Sequence, residues 1–190
     1  GHRRDRGVLG PEDLVELGVF HLMRARKAMI SFGQGCEGEP LTQAERIARA
    51  IAGIRAETGH GTIHMNTNGS MPEALDDLAA AGLQSVRVSL VSARAEAFDA
   101  YHRAEFGIDQ VEAFCTRAAS AGLHVALNLL VFPGFTDRPG ELAALVDFIQ
   151  RTGAHMVQLR NLDVDPAHLM RRLPPADGEP VGSLYGPLRP

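Results

Sequence analysis

Apolar residues recur along this chain with two different periods, and segments with one period alternate with segments with the other. Segments with a period of two, typical of strands, are predicted at residues 28–32, 62–68, 84–91, 123–132 and 154–162. Apolar residues at helical spacing predict helices at residues 12–27, 109–121 and 140–152, and two more after Thr42 and Ser70. A glycine precedes three of the strands in near-identical junctions, at Gly82, Gly122 and Gly153. Strand, helix, glycine, strand is the pattern of right-handed parallel βα units.

Two of the helix starts carry a more local prediction. Thr42 and Glu45 have the spacing of a capping box, and so do Ser70 and Glu73. We therefore expect the Thr42 and Ser70 side chains to cap the backbone of the helices that follow. Pro72 should lie in the first turn of the second of these helices.

One face of every predicted strand is polar, because side chains two positions apart share a face. These faces carry Ser31, His64, Asn66, Asn68, Arg87, Ser89, Asn128, Gln158 and Arg160. The strands of a doubly wound sheet, covered on both sides, are instead nearly continuous apolar runs. The pattern predicts a curved, partly open α/β barrel of parallel strands around a bound ligand. An apolar eight-stranded barrel needs a longer chain, and a flat sheet with satisfied polar groups is the alternative.

Composition limits the class of protein. The 190 residues suit one domain, and a net charge of −4 without a basic face argues against nucleic acid as a partner. No apolar run is long enough for a membrane span. The two cysteines, Cys36 and Cys115, form no disulfide framework, which predicts a cytoplasmic protein. We divide the chain into a tail and first helix (1–27), the barrel (28–166) and a Pro- and Gly-rich tail (167–190).

A glycine-rich, acidic loop over residues 33–40 follows the first predicted strand. Glycines allow close backbone approach, and the ends of parallel strands are where α/β proteins bind ligands. Two acidic residues, Glu37 and Glu39, follow Cys36 closely, and acidic neighbours work against thiolate chemistry. His60 and His64 have the i, i+4 spacing of a helical metal pair. Because they span a turn and a strand, we expect no metal there.

Several of these segments, in register over residues 28–166, resemble the radical S-adenosylmethionine (radical SAM) enzyme family. The segments are Gly35-Cys36-Glu37-Gly38-Glu39-Pro40-Leu41, Thr67-Asn68-Gly69, Val86-Arg87-Val88-Ser89-Leu90, the run from Asn128 to Asp137, and Gln158-Leu159-Arg160-Asn161-Leu162. The resemblance implies about five βα units of a six-stranded, TIM-barrel-like core. It also implies an enzyme in which one electron from a [4Fe-4S] cluster cleaves S-adenosylmethionine to a 5′-deoxyadenosyl radical. That radical takes a hydrogen atom from a substrate, whose identity the sequence does not specify.

The resemblance implies a set of cofactor-binding residues: Gly35, Gly38, Glu39, Pro40, Asn68, Ser89, Asn128, Val131, Phe132 and Arg160. The glycine-rich loop would accept hydrogen bonds from the methionine ammonium, through its backbone more than through Glu39. Ser89 and Asn128 would reach the ribose, and Val131 and Phe132 would form an apolar ledge for adenine. Arg160 would meet the cofactor carboxylate or a substrate anion.

Each of these roles has a structural alternative. The Glu39 carboxylate would suit a helix N-terminus without any ligand. Ser89 and Asn128 could hydrogen-bond to one another, Val131 and Phe132 could be ordinary core residues, and Arg160 could form an ion pair.

One departure from the family concerns the cluster. Its enzymes hold the cluster by Cys-x3-Cys-x2-Cys after the first strand, and this chain has no such triplet. The helix at 12–27 corresponds to the first family helix, so we expect the cluster segment to lie upstream of Gly1. We expect the chain alone to bind no iron and to be inactive. Glu37 also replaces the first glycine of the family loop.

Three functions remain open. The chain is the S-adenosylmethionine and substrate part of a radical enzyme, a βα-barrel enzyme of another chemistry, or a non-catalytic scaffold that binds a nucleoside-like ligand or a protein partner. A phosphate-handling lyase would need its glycine loop near the last strands, whereas here the loop is early and acidic. The strand at 28–32 would also be an open sheet edge, which predicts self-association unless the first helix covers it.

Overall fold

The computed structural model describes residues 10–33 and 38–175, in which strands and helices alternate. The strands are β1 (Met29–Phe32), β2 (Thr62–Thr67), β3 (Ser85–Leu90), β4 (His124–Val131) and β5 (Met156–Asn161). The helices are α1 (Pro11–Arg24), α2 (Ala44–Glu57), α3 (Leu75–Ala81), α4 (Ala95–His102), α5 (Ile108–Ser120), α6 (Pro139–Thr152) and α7 (Pro166–Met170). Short 3-10 helices at Pro40–Gln43 and Pro72–Ala74 precede α2 and α3.

The five strands of the described residues form one open parallel sheet in the order β1-β2-β3-β4-β5. Each strand therefore pairs with the next strand in the chain, and a helical segment forms each crossover. This arrangement confirms the parallel α/β fold that the alternating periods predict. All the carboxyl ends of the strands consequently lie at one edge of the sheet.

The core lies between the sheet and the helices. Apolar side chains from the outward faces of β2, β3 and β4 are fully buried there: Ile63, Met65, Val86, Val88, Val125 and Leu127. Phe114 on α5 and Phe148 on α6, both fully buried, belong to the same cluster. Full burial of each such side chain stabilises the fold by about 1.5–3 kcal/mol, so this layer fixes which face of the sheet meets the helices.

Two of the predicted glycine stops are left-handed helix caps. Gly82 ends α3 with φ of 109° and Gly153 ends α6 with φ of 68°. A residue with a Cβ atom is disfavoured in this conformation, so the Gly-then-strand junctions have a direct steric reason.

The capping-box predictions at Thr42 and Ser70 are wrong. The Thr42 hydroxyl lies in the first 3-10 helix and donates to the Glu39 carbonyl oxygen at 2.7 Å. The cap at this helical segment is the Glu39 side chain, because Pro40 starts the 3-10 turn before α2 begins. Met71 occupies the N-cap position of the second 3-10 helix, without a side-chain bond. Pro72 does lie in its first turn, as predicted.

Two helices have no counterpart in the prediction. Phe98 on α4 and Leu169 on α7 are buried. A second, smaller apolar cluster includes Leu169, Leu173 and Phe135. Residues 167–173, which the sequence suggests are part of a tail, thus pack on the domain.

The β1 edge of the described sheet is partly apolar. Gly18 on α1 is buried against α2, where an added Cβ atom would lie 2.6 Å from the Ile54 side chain. The opposite face of α1 exposes Leu17, Phe20 and Met23. Met29, at the start of β1, is exposed as well. Self-association through this edge stays a prediction. Within residues 10–33 and 38–175, no helix combines the length and apolar content needed to cross a membrane.

Arg55 of α2 ties down the amino ends of β2 and β3. Its guanidinium donates to the carbonyl oxygens of His60 and Gly61, both at 3.1 Å, and to Gln84 Oε1 at 2.5 Å. Gln84 Oε1 also accepts the Ile63 backbone N–H at 3.1 Å. This network lies at the opposite end of the strands from their carboxyl ends.

Candidate functional site

A cavity of about 690 Å³ opens at the carboxyl ends of the strands, on the polar face of the sheet. It is lined by Gly38, Glu39, Pro40, Asn66, Thr67, Asn68, Arg87, Ser89, Asn128 and Arg160. Every strand from β2 to β5 contributes to it, together with the loop after β1. Six of the nine side chains that the alternating pattern assigns to one face therefore line a common hollow, and Ser31, His64 and Gln158 are not among its lining residues.

Glu39 connects the loop after β1 to the end of β2. Its Oε1 atom accepts the Thr67 hydroxyl at 2.5 Å and the Leu41 backbone N–H at 3.1 Å. Its Oε2 atom accepts the Asn68 backbone N–H at 2.8 Å. The carboxylate thus occupies a helix N-terminus, as its structural alternative describes. Cofactor binding by the neighbouring backbone of Gly38 and Pro40, which flank the cavity, stays a prediction.

Asn66 is the centre of a hydrogen-bond network on the cavity floor. Its amide nitrogen donates to Ser31 Oγ at 2.9 Å and to the Gly33 carbonyl oxygen at 2.8 Å. Its Oδ1 atom accepts Arg87 Nε at 2.7 Å, and Arg87 Nη1 donates to Gln158 Oε1 at 2.7 Å. The network therefore joins β1, β2, β3 and β5. Gly33 has φ of 80°, and an added Cβ atom there would lie 2.3 Å from the Asn66 carbonyl oxygen.

His64 lies beneath this network and is buried. Its Nδ1 atom is 2.5 Å from Ser85 Oγ, and its Nε2 atom is 3.3 Å from Asn66 Oδ1. Burial lowers the pKa of His64, and the charges of Arg87 and His124 lower it further, while the hydrogen bond to Asn66 opposes the change. The surroundings therefore favour the neutral form of the imidazole. Among the described residues, no group of three or more His, Cys, Asp or Glu side chains could hold a metal ion.

Asn128 lines the cavity and carries an unsatisfied acceptor. It lies on β4 between Ser89 of β3 and Gln158 of β5 in the strand register. Its Oδ1 atom is buried and accepts no hydrogen bond from the described residues. The mutual hydrogen bond with Ser89 that the sequence left open is therefore not made through this atom. A buried carbonyl without a donor costs about 1–3 kcal/mol, which a ligand hydroxyl or N–H group would recover.

Arg160 lines the cavity from the exposed end of β5. In the described part of the chain, none of the ion pairs involves Arg160. Asn68 lines the cavity just beyond the end of β2, and its Oδ1 atom accepts the Ser70 backbone N–H at 2.9 Å.

Val131 and Phe132 are not brought into the cavity. Val131 shares the parity of Leu129 on β4, so it packs against the main core, and Phe132 packs against the smaller cluster. Both residues are only half-buried, so an adenine ledge stays a prediction beside the alternative of core packing. Gly35, Cys36 and Glu37 lie outside the described residues.

Three lining residues are absent from the predicted set: Asn66, Thr67 and Arg87. Alternation did assign Asn66 and Arg87 to the polar face, so a signal for them existed. Thr67 has the opposite parity; the Thr67-Asn68-Gly69 segment points to it only through the family resemblance, and its hydrogen bond to Glu39 explains its place at the cavity.

Comparison with known proteins identifies the family of this chain. The sequence model of the radical SAM superfamily matches residues 3–147. The chain belongs to the radical SAM superfamily.

Individual relatives agree with this membership. The chain is 34% identical over 131 residues to a GTP 3',8-cyclase of Heliobacterium modesticaldum, a match that covers 68% of this chain and 38% of that protein. Coproporphyrinogen III oxidase (HemN) of Escherichia coli superposes with a TM-score of 0.59 at 15% identity, covering 86% of this chain and 39% of that one. A radical SAM methyltransferase from Sphaerobacter thermophilus superposes with a TM-score of 0.57 at 20% identity, covering 86% and 53%. These two structures show the shared fold, and the chain spans well under two thirds of each relative.

The residues present fit the two cofactors of radical SAM enzymes unequally. S-adenosylmethionine carries hydroxyl, ammonium and carboxylate groups, which match the Asn128 acceptor, the loop carbonyl groups and Arg160. A [4Fe-4S] cluster needs several thiolates, and the whole sequence has two cysteines. Cys115 is buried on α5, where burial and, less strongly, the Glu112 charge raise the pKa of its thiol to about 12. The cysteines of residues 1–190 therefore do not fit a cluster.

Proposed function

We propose that this chain forms the S-adenosylmethionine- and substrate-binding part of a radical SAM enzyme. The observation that carries the proposal is the buried, unpartnered Oδ1 atom of Asn128 on the wall of a polar cavity. A site of this kind suits a ligand that brings its own hydrogen-bond donors, and the ribose of S-adenosylmethionine does so. Family membership supports this choice over other nucleosides.

Each group of the cofactor has a matching group of the protein. Ser89 and Asn128, adjacent in the strand register, would bind the ribose hydroxyls. Backbone carbonyl groups around Gly38 and Pro40 would accept the ammonium, and Arg160 would bind the carboxylate with its planar guanidinium. When bound, S-adenosylmethionine supplies hydrogen-atom abstraction after one-electron reductive cleavage. The protein's own contribution is to hold the cofactor and to exclude water from it.

We further propose that the cluster ligands come from outside residues 1–190. Two cysteines, one of them buried on α5, support this proposal. Residues 1–190 alone should then bind the cofactor without cleaving it. We also propose a cytoplasmic location, because two cysteines form no disulfide framework.

Binding of S-adenosylmethionine to residues 1–190, measured by isothermal titration calorimetry, tests the proposal. Asn128→Leu should weaken binding about tenfold, the free energy of one lost hydrogen bond in a desolvated site. Gln150→Leu makes the same amide-to-leucine change on the exposed face of α6 and should leave the affinity unchanged. No measurable binding by the unmodified chain, or equal affinities for both variants, would contradict the proposal.

A cluster-free protein that binds a nucleoside-like ligand is the second candidate, and the cysteine count favours it. The two candidates predict different contributions of the methionine part of the ligand to its affinity. The enzyme part should bind S-adenosylmethionine at least tenfold more tightly than adenosine, since Arg160 and the loop contact the amino acid group. Equal affinities would favour the second candidate.

A further inference from the structure

We propose that Arg87 binds an anionic group of the substrate, a carboxylate or a phosphate, at the floor of the cavity. The proposal rests on the proposed function, because it assigns S-adenosylmethionine to the rest of the same cavity. It adds a substrate class and a substrate-binding residue to that function.

The guanidinium of Arg87 is oriented by neutral acceptors. Nε donates to Asn66 Oδ1 and Nη1 donates to Gln158 Oε1, each at 2.7 Å. Amide oxygens fix the plane of the guanidinium without neutralising its charge. An arginine side chain has five N–H donors, so these two bonds leave other donors for a ligand. Arg87 is part-buried and lines the cavity, so a ligand can reach it.

The charges around the cavity are unbalanced. Two of its lining side chains are guanidinium groups, of Arg87 and Arg160, and one is a carboxylate, of Glu39. Glu39 is already occupied by the Thr67 hydroxyl and two backbone N–H groups. Within residues 10–33 and 38–175, no ion pair involves Arg87. A planar guanidinium fixed in a polar cavity without a carboxylate partner suits a carboxylate or phosphate ligand.

The strand register separates the two arginines by depth. Ser89 and Asn128 form one layer of the strands, and Arg87 lies two residues before Ser89 on β3. Arg160 pairs with Leu130, two residues after Asn128 on β4. A cofactor whose ribose lies at Ser89 and Asn128 and whose carboxylate reaches Arg160 therefore extends away from the Arg87 backbone, and the Arg87 guanidinium stays at Gln158, the register partner of Asn128.

The test uses residues 1–190 saturated with S-adenosylmethionine and titrated with inorganic phosphate or with succinate. The Nε–H signal of Arg87 in a ¹⁵N-correlated NMR spectrum reports directly on the residue. We expect at least one anion to shift this signal in a saturable way. Tighter phosphate binding would assign a phosphate-bearing substrate, and tighter succinate binding would assign a carboxylate.

Variants separate the role of Arg87 from the net charge and from the fold. Arg87→Met should weaken anion binding at least tenfold and change S-adenosylmethionine affinity less than threefold. Arg117→Met removes the same charge from the surface and should have no effect on either ligand. Arg87→Lys keeps the charge without the planar fork and should give an intermediate affinity, so it serves if the methionine variant does not fold. Gln158→Leu, which removes one positioning bond, should weaken anion binding by a smaller factor.

Two results would have different meanings. S-adenosylmethionine binding without any anion effect on the Arg87 signal, or with unchanged anion affinity in both Arg87 variants, would overturn this inference and leave the proposed function intact. Failure of S-adenosylmethionine to bind, measured separately on the same sample, would overturn the proposed function.

Discussion

The two faces of the sheet differ in burial and in the contacts that their side chains make. On the outward face, Ile63, Val86 and Leu127 are completely buried beneath helices in the apolar core. The inward face carries amide, hydroxyl and guanidinium groups that hydrogen-bond across strands. Every strand contributes to both faces at alternate positions. The comparison teaches that the outward residues determine which fold forms, and the inward residues determine what it binds.

The inward face itself is of two kinds. Asn66 has acceptors and donors on three sides, so it stabilises the fold in the absence of any ligand. Asn128 leaves a buried acceptor unsatisfied and therefore destabilises the ligand-free fold. Substitutions on the two faces should separate stability from ligand binding.

The largest effect is expected on the outward side of the sheet. Phe114→Ala would leave a cavity beneath α5, where the ring is fully buried, and should lower the free energy of unfolding by about 3–5 kcal/mol. Urea unfolding followed by circular dichroism measures it. Ser89→Ala on the inward face is the control and should change stability by less than about 1 kcal/mol. A Ser89 variant as unstable as the Phe114 variant would contradict the division between the faces.

Glu39 should give the next largest effect, because it joins the loop to β2. Glu39→Ala removes the carboxylate that accepts hydrogen bonds from three donors. This change should lower the free energy of unfolding by about 2–3 kcal/mol. Glu39→Gln, which keeps one carbonyl oxygen, should cost less. The same urea experiment distinguishes them, and an alanine variant of unchanged stability would show that the carboxylate does not hold this turn.

Asn128 should behave in the opposite sense from Glu39. Replacement by leucine removes an unsatisfied acceptor, so Asn128→Leu should leave stability unchanged or raise it by about 1 kcal/mol. The gain appears as a higher urea midpoint in the absence of ligand. A loss of more than about 1 kcal/mol would mean that Asn128 has a structural role instead.

The smallest expected effect is a change in stability at acidic pH. Burial lowers the pKa of His64 and of His102 from the ordinary 6.5. Below that pH the unfolded chain therefore binds more protons than the folded chain does. Stability should therefore fall as the pH drops below about 6.5, and the loss should stop growing below the folded-state pKa values. His102→Phe, which also removes a buried Nε2 atom without a partner, should flatten the slope of unfolding free energy between pH 6.5 and 5. An identical slope in both proteins would exclude a contribution from His102.

Strand alternation identified the cavity walls from sequence because parity is a local property. Asn128 and Arg87 are on the polar face in both the sequence and the structure. Whether an inward residue is satisfied, as Asn66 is, or unsatisfied, as Asn128 is, depends on side chains tens of residues away, and sequence periodicity does not show it. The family resemblance suggests Val131 for the adenine ledge, its parity on β4 places it with Leu129, and the ledge stays a prediction.

Local competition explains the other differences. Thr42 and Ser70 fit the capping-box pattern, but a proline two positions from each begins a 3-10 turn first. Helices α4 and α7 are eight and five residues long, too short for a clear helical period.

The network of Arg55 and Gln84 has a consequence for how such a protein can change over time. It secures β2 and β3 at their amino ends, where no cavity-lining residue takes part. Lining residues outside the Glu39 and Asn66 networks, such as Ser89 and Asn128, can therefore be exchanged without loosening the strands that carry them. New ligand preferences are then accessible by a few substitutions, each of which leaves a folded and inheritable intermediate.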